Sequence, residues 1–173
     1  MRRLAVALAL AVPLVTAPAA AQEAVEAGPF DPALDAEAAL ARAIATARER
    51  LFAIDGPAGP QRVLAIFGAN WCHDSRDLAA MLATPRVAEL VARHYQVVLI
   101  DAGTPQTGNG RNLDIAARLG VQDITGTPTL LVLDADGELL NSPANARAWR
   151  NASGRSERQV LGFLRRWTKP DSG

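Results

Sequence analysis

Two short apolar runs, RVLAIF at 62–67 and QVVLID at 96–101, flank a stretch of helical periodicity, and this arrangement constrains the fold most. Each run is too brief for a helix and reads as a buried strand, the second being the richer in branched residues. Between them Leu78, Met81 and Leu82 share one face from Ser75 to Ala83, Pro85 interrupts, and a second helical segment covers Val87 to Tyr95. Strand, helix and strand in that order imply two parallel neighbours joined by a right-handed crossover. Later, Thr129 to Leu133 reads as a strand, Asp134-Ala135-Asp136-Gly137 as a turn and Glu138 to Leu140 as the returning strand of an antiparallel hairpin.

Helices complete the pattern. Leu40, Ile44, Ala47 and Leu51 recur at helical spacing behind Asp35, a suitable N-cap, with a stop at Gly56-Pro57. Asn112 to Leu119 is a short helix closed by Gly120, and Ser156 to Trp167 is the last, with Val160, Leu164 and Trp167 on one face. The Gly-rich stretch GTPQTGNG carries no phosphate-binding pattern and reads as a flexible connector; residues 141–154 read as a polar loop carrying Trp149. The expected fold is α/β, a mixed four-stranded sheet with helices on both faces.

The first 21 residues read as a cleaved signal peptide: Arg2 and Arg3, an apolar stretch from Leu4 to Val15, and Ala19-Ala20-Ala21 before the cleavage point. Pro13 and Pro18 break the run, which is too short to span a bilayer, so no membrane span is expected after cleavage. Residues 22–34 read as a linker and 35–170 as one domain, working in the periplasm or secreted, as a monomer. With 18 Lys and Arg against 18 Asp and Glu, the chain offers no electrostatic case for nucleic acid or an anionic membrane surface. Its one cysteine excludes an internal disulfide.

That cysteine, Cys72, stands in GANWCHDSR, at the junction of the first strand and the next helix. A helix N-terminus favours thiolate, and the hydroxyl of Ser75, three residues on, can donate to it. His73 and Arg76 add positive charge and Asp74 and Asp77 oppose it, so the expected net effect is a pKa below the free value of about 8.5. The plainer reading is that Cys72 is a small buried hydrophobe. Trp71 reads as core packing or as a half-exposed aromatic beside the thiol, and its place in the loop favours the second. No metal or other cofactor is expected: Cys72, His73 and Asp74 are consecutive and diverge, and His94 lies in a helix without a ligand-spaced partner. A Ser-His-Asp hydrolase using Ser75 lacks the nucleophile elbow. Asn151-Ala152-Ser153 matches a glycosylation acceptor of the frequency chance supplies.

Trp71-Cys72 at the strand-helix junction, with Gly126-Thr127-Pro128-Thr129 some fifty residues later before a strand and a DADG hairpin, resembles the thioredoxin fold. Over roughly residues 35–168 the chain is most similar to secreted thioredoxin-like proteins related to the C-terminal domain of the periplasmic transmembrane disulfide reductase. The resemblance implies a cis Pro128 facing Cys72, and a backbone at Thr127 that docks extended substrate; Trp71 and His73 would flank that substrate. Two departures stand out. Ser75 occupies the place of the resolving cysteine, and Ile66 that of a buried acid six residues before the nucleophile.

With one sulfur, attack on a disulfide gives a mixed disulfide that the protein cannot resolve alone. The expected function is therefore monothiol exchange on protein thiols and disulfides, with glutathione or a second substrate thiol completing turnover. A non-catalytic peptide- or partner-binding module with a relic cysteine is the alternative. Regulation through an intermolecular disulfide at Cys72 is a third reading.

Overall fold

The computed structural model describes residues 28–50 and 61–168. The expected signal peptide, residues 22–27 of the expected linker, Leu51 and the expected stop at Gly56-Pro57 lie outside the described residues.

Strand β1 (Arg62–Gly68) is the centre of the molecule, and all seven of its residues are buried. It pairs in parallel with β2 (Tyr95–Asp101), Arg62 opposite Tyr95 and Gly68 opposite Asp101. On its other side it pairs antiparallel with β5 (Thr129–Leu133), giving the order β2-β1-β5. Alternation along β1 feeds two cores. Val63, Ala65 and Phe67 pack with Leu40, Ala43 and Ala47 of α1 (Ala36–Glu49) and with Ile115 of α4 (Leu113–Arg118). Leu64 and Ile66 pack with Leu78 of α2 (His73–Leu82), Val87 of α3 (Pro85–His94) and Leu161 of α6 (Glu157–Arg166). A strand covered on both faces must be apolar at every position, as RVLAIF nearly is. The mixed α/β sandwich is as expected.

The helix starts follow local chemistry. Asp35 caps α1 by accepting from Ala38 N at 3.0 Å. Ser156 and Gln159 form a capping box at α6, where Ser156 N donates to Gln159 Oε1 at 2.8 Å. Tyr95 both caps the C-terminus of α3 and opens β2, and its hydroxyl donates to Leu164 O at 2.6 Å.

Among the described residues the sheet has three strands, not four. The segment after the DADG turn makes only an isolated bridge, Leu133 to Leu139. Leu140 N still donates to Val132 O at 2.8 Å, but the next residue changes the pattern. The buried side chain of Asn141 accepts from Val132 N at 2.8 Å and donates to Leu130 O at 2.9 Å. One side-chain amide thus satisfies the two outward groups of β5 that a longer strand would have paired. Ser142 and Pro143 then open α5 (Pro143–Arg147), and proline cannot extend a ladder.

Two stretches read as irregular are ordered. GTPQTGNG forms a small hairpin, β3 (Gly103–Thr104) against β4 (Asn109–Gly110), around a 3-10 turn at Pro105–Thr107. Gly103 is required there: its φ is +62°, and a Cβ would stand 2.6 Å from Asn109 O. The polar loop at 141–154 contains α5 and a 3-10 turn at Ala152–Gly154, folded around a Trp149 that is only 2% exposed.

Candidate active site

Where β1 ends, the chain turns once to start α2, and Cys72 is the N-cap of that helix. Its extended backbone lets its carbonyl accept the first helical bond, from Arg76 N at 3.2 Å. Asn70, just before it, is tied to the N-terminal segment: its side chain accepts from Phe30 N at 3.0 Å and donates to Phe30 O at 2.7 Å. Phe30, from the stretch assigned to the linker by composition, is fully buried against Gly68. The approach to Cys72 is therefore fixed on both sides.

Cys72 is 8% exposed, and its Sγ lies 3.4 Å from Thr127 O, with geometry for the thiol to donate. The Thr127-Pro128 peptide is cis, and both residues are buried. The fold thus brings residues 55 apart in sequence into contact at the thiol. Ser75, in the first turn of α2, is wholly buried, and its hydroxyl makes no hydrogen bond. The Thr127 hydroxyl is likewise buried and unpartnered. The expected Ser75-to-sulfur hydrogen bond is not made; Sγ lies against Thr127 O instead. Ile66 is buried in the core beneath.

Trp71 is 50% exposed, as its loop position suggested, with indole Nε1 donating to Gly103 O at 3.0 Å. Indole and β3–β4 hairpin together border a groove of about 480 Å³ that Arg111 also lines. Arg111 pairs with the buried Asp101 at 2.6 Å, a contact of charges rather than an aligned hydrogen bond. His73 is exposed and faces Asp74, Nε2 to Oδ2 at 3.3 Å. Among the described residues no group of three or more His, Cys, Asp and Glu gathers to hold a metal ion.

Asp74 and Ser153 form a contact that sequence reasoning missed. Asp74 Oδ1 accepts from Ser153 N at 2.8 Å and from Ser153 Oγ at 2.6 Å. Burial alone would raise the Asp74 pKa, but the two Ser153 bonds and the nearby His73 outweigh it, and the net shift is downward from 3.8. Arg147 donates to Gln122 O and Arg150 to Thr125 Oγ1, both at 2.9 Å. Residues 143–154 therefore link the start of α2 to the loop ahead of Pro128, holding the two halves of the site together. The available signal was Trp149, an aromatic in a polar stretch, which asks for a packing partner.

A pH dependence follows. A folded-state pKa below the unfolded one stabilises at neutral pH, and that contribution is lost as pH falls below about 4. Asp74→Asn should lower the urea midpoint at pH 7, and the gap from wild type should close on acidification towards pH 3. Parallel midpoint curves across that range would show that the carboxylate adds nothing.

A solved structure of a disulphide isomerase from Xylella fastidiosa Temecula1 is similar to this chain, with 27% identity and a TM-score of 0.69. The likeness covers 82% of this chain and 98% of that one. The fold is thioredoxin-like. No family model and no curated protein matches the sequence. Among the described residues no helix is long and apolar enough to cross a membrane.

Proposed function

We propose that this protein is a monothiol thiol-disulfide exchange protein acting on extracytoplasmic proteins, with Cys72 as the nucleophile. The observation that carries the reading is the placement of Cys72 Sγ at a helix N-terminus, 3.4 Å from the carbonyl before a cis proline. The likeness to a disulphide isomerase supports it. The thiolate of Cys72 attacks one sulfur of a substrate disulfide; the new S–S bond forms as the old one breaks, and the departing sulfur takes up a proton. Release then requires a second thiolate, from glutathione or from the substrate itself. When the substrate supplies it, the disulfide is moved and nothing is oxidised or reduced overall. Ser75 donates its unpartnered hydroxyl to the thiolate, Trp71 and His73 border the incoming segment, and Thr127-Pro128 docks it.

The chemistry is tested by intact-mass analysis of the folded protein with oxidised glutathione. A single glutathione adduct on Cys72 should accumulate and should discharge when reduced glutathione is added. An adduct that forms only in urea would sink the reading.

A second reading has its own support. Cys72 is nearly buried, Ser75 replaces the second sulfur and Ile66 the acid, which suits a non-catalytic module that binds partner peptides in the groove at Trp71. Under it, partner capture survives loss of the sulfur.

A further inference from the structure

Away from Cys72, a neutral chain carries a concentrated patch of positive charge. Residues 141–168 include six arginines against one acid, Glu157, although the full chain balances 18 basic against 18 acidic residues. Glu157 pairs with Arg86 at 3.3 Å, while Arg147 and Arg150 are spent on the loop before Pro128. Arg155, Arg158, Arg165 and Arg166 have no carboxylate partner among the described residues.

Arg155 and Arg166 line a cavity of about 380 Å³ between α5 and α6, with Trp149 and Phe163. The Arg155 guanidinium lies 4.3 Å from the centre of the Trp149 ring, which Phe163 meets edge-on at 4.7 Å. Nη2 donates to Ala148 O at 2.5 Å, and Nε is buried without a partner. Among the described residues Ala148 O is the one hydrogen-bond acceptor of this guanidinium, which lines the cavity. Stacking holds this cation in place, but a partly buried guanidinium with no counter-charge remains under-compensated.

Gly162 gives an independent indication. It lies inside α6, where a Cβ would meet nothing within 4 Å. Glycine is a poorer helix former than any residue but proline, and no contact in the fold requires it here. Its effect is to keep the cavity open.

The charge continues past the cavity. Arg165, unpaired among the described residues, lines a second concavity beside Arg86 and Arg93, which are paired with Glu157 and Glu89, so with Arg158 and Arg165 the unpaired basic surface is longer than one small ligand. His94 in that concavity adds no charge, since burial, and then Arg93, push its pKa down. A bilayer is a poor match because the apolar face of α6, Val160, Leu161 and Leu164, is already buried in the core.

We propose that this cavity seats a carboxylate side chain from an acidic segment of a partner protein, with Arg155 and Arg166 as its cationic contacts. Guanidinium groups suit this task because their planar donors match a carboxylate. The site does not depend on Cys72.

Anisotropy of a fluorescein-labelled octaglutamate peptide titrated with the purified full chain tests this. Saturable binding that weakens with salt is expected, with octalysine silent. Arg155→Gln and Arg166→Gln should each weaken binding by about tenfold or more. Since Arg155→Gln removes a stacking contact, Gly162→Glu is the second variant: its side chain has room, adds a carboxylate to the cavity, and should abolish binding with the melting temperature kept. Octaglutamate binding that is absent, or unchanged in Gly162→Glu, overturns the proposal. So does binding restricted to succinate or to phosphatidylglycerol vesicles.

Discussion

Cys72→Ser should reduce exchange on a glutathionylated or scrambled-disulfide protein to the uncatalysed background, with the fold intact. A serine hydroxyl cannot form a disulfide, so the covalent step disappears entirely. Serine is also among the preferred N-cap residues, and it can donate to Thr127 O as the thiol does. The variant should therefore melt at the wild-type temperature or above it. This separates the two readings cleanly: an exchange protein loses all turnover, whereas a binding module keeps its partner. The companion variant is Ser75→Cys, which restores a second sulfur in the same turn of α2. No hydrogen bond seen in this structure is lost, because the Ser75 hydroxyl makes none here. An adjacent thiol has a high effective concentration, so the mixed disulfide should discharge without external thiol, at least about tenfold faster than in wild type. Equal discharge rates would mean that position 75 does not reach the sulfur of Cys72.

Asn141→Ala should be among the most destabilising single changes outside the apolar core. It removes no charge and little volume, yet it strands Val132 N and Leu130 O in the interior. Each unpaired buried backbone group costs about 1–3 kcal/mol, so for the two a loss of about 2–6 kcal/mol is expected. That is a large fraction of the roughly 5–15 kcal/mol available to a folded domain. Urea denaturation would measure it. Asn141→Asp should recover only the acceptor half, since a carboxylate cannot donate to Leu130 O. A loss below about 1 kcal/mol in the alanine variant would mean that water or a strand extension takes over the pairing.

How much of this was legible beforehand depended on the kind of signal. The apolar runs of β1 and β5 were readable because burial on both faces demands unbroken hydrophobicity, and β2, which is only partly buried, was readable from its branched residues. Helix starts were readable where a short polar side chain caps its own neighbours, as at Asp35 and Ser156. The start of α2 was placed two residues late because Cys72 caps without a side-chain bond and so leaves no such mark. The hairpin at 103–110 was hidden because its glycines resemble those of a featureless loop; only the approach of Asn109 O to Gly103 shows what they are for.

The sequence by itself determined the layer order, the strand-helix junction that carries Cys72, and the single sulfur that limits its chemistry. These are local properties, set by periodicity, capping and residue identity. Tertiary structure alone decided which distant groups meet. Asn141 ends the sheet, Ser153 holds Asp74 across 79 positions, and Thr127 O faces the thiol across 55. Such contacts depend on how far the chain returns on itself, and no local pattern of residue types encodes that distance. The same reason kept Arg155 and Gly162 anonymous in the sequence: an arginine and a glycine become a cavity only when α5 and α6 are brought side by side.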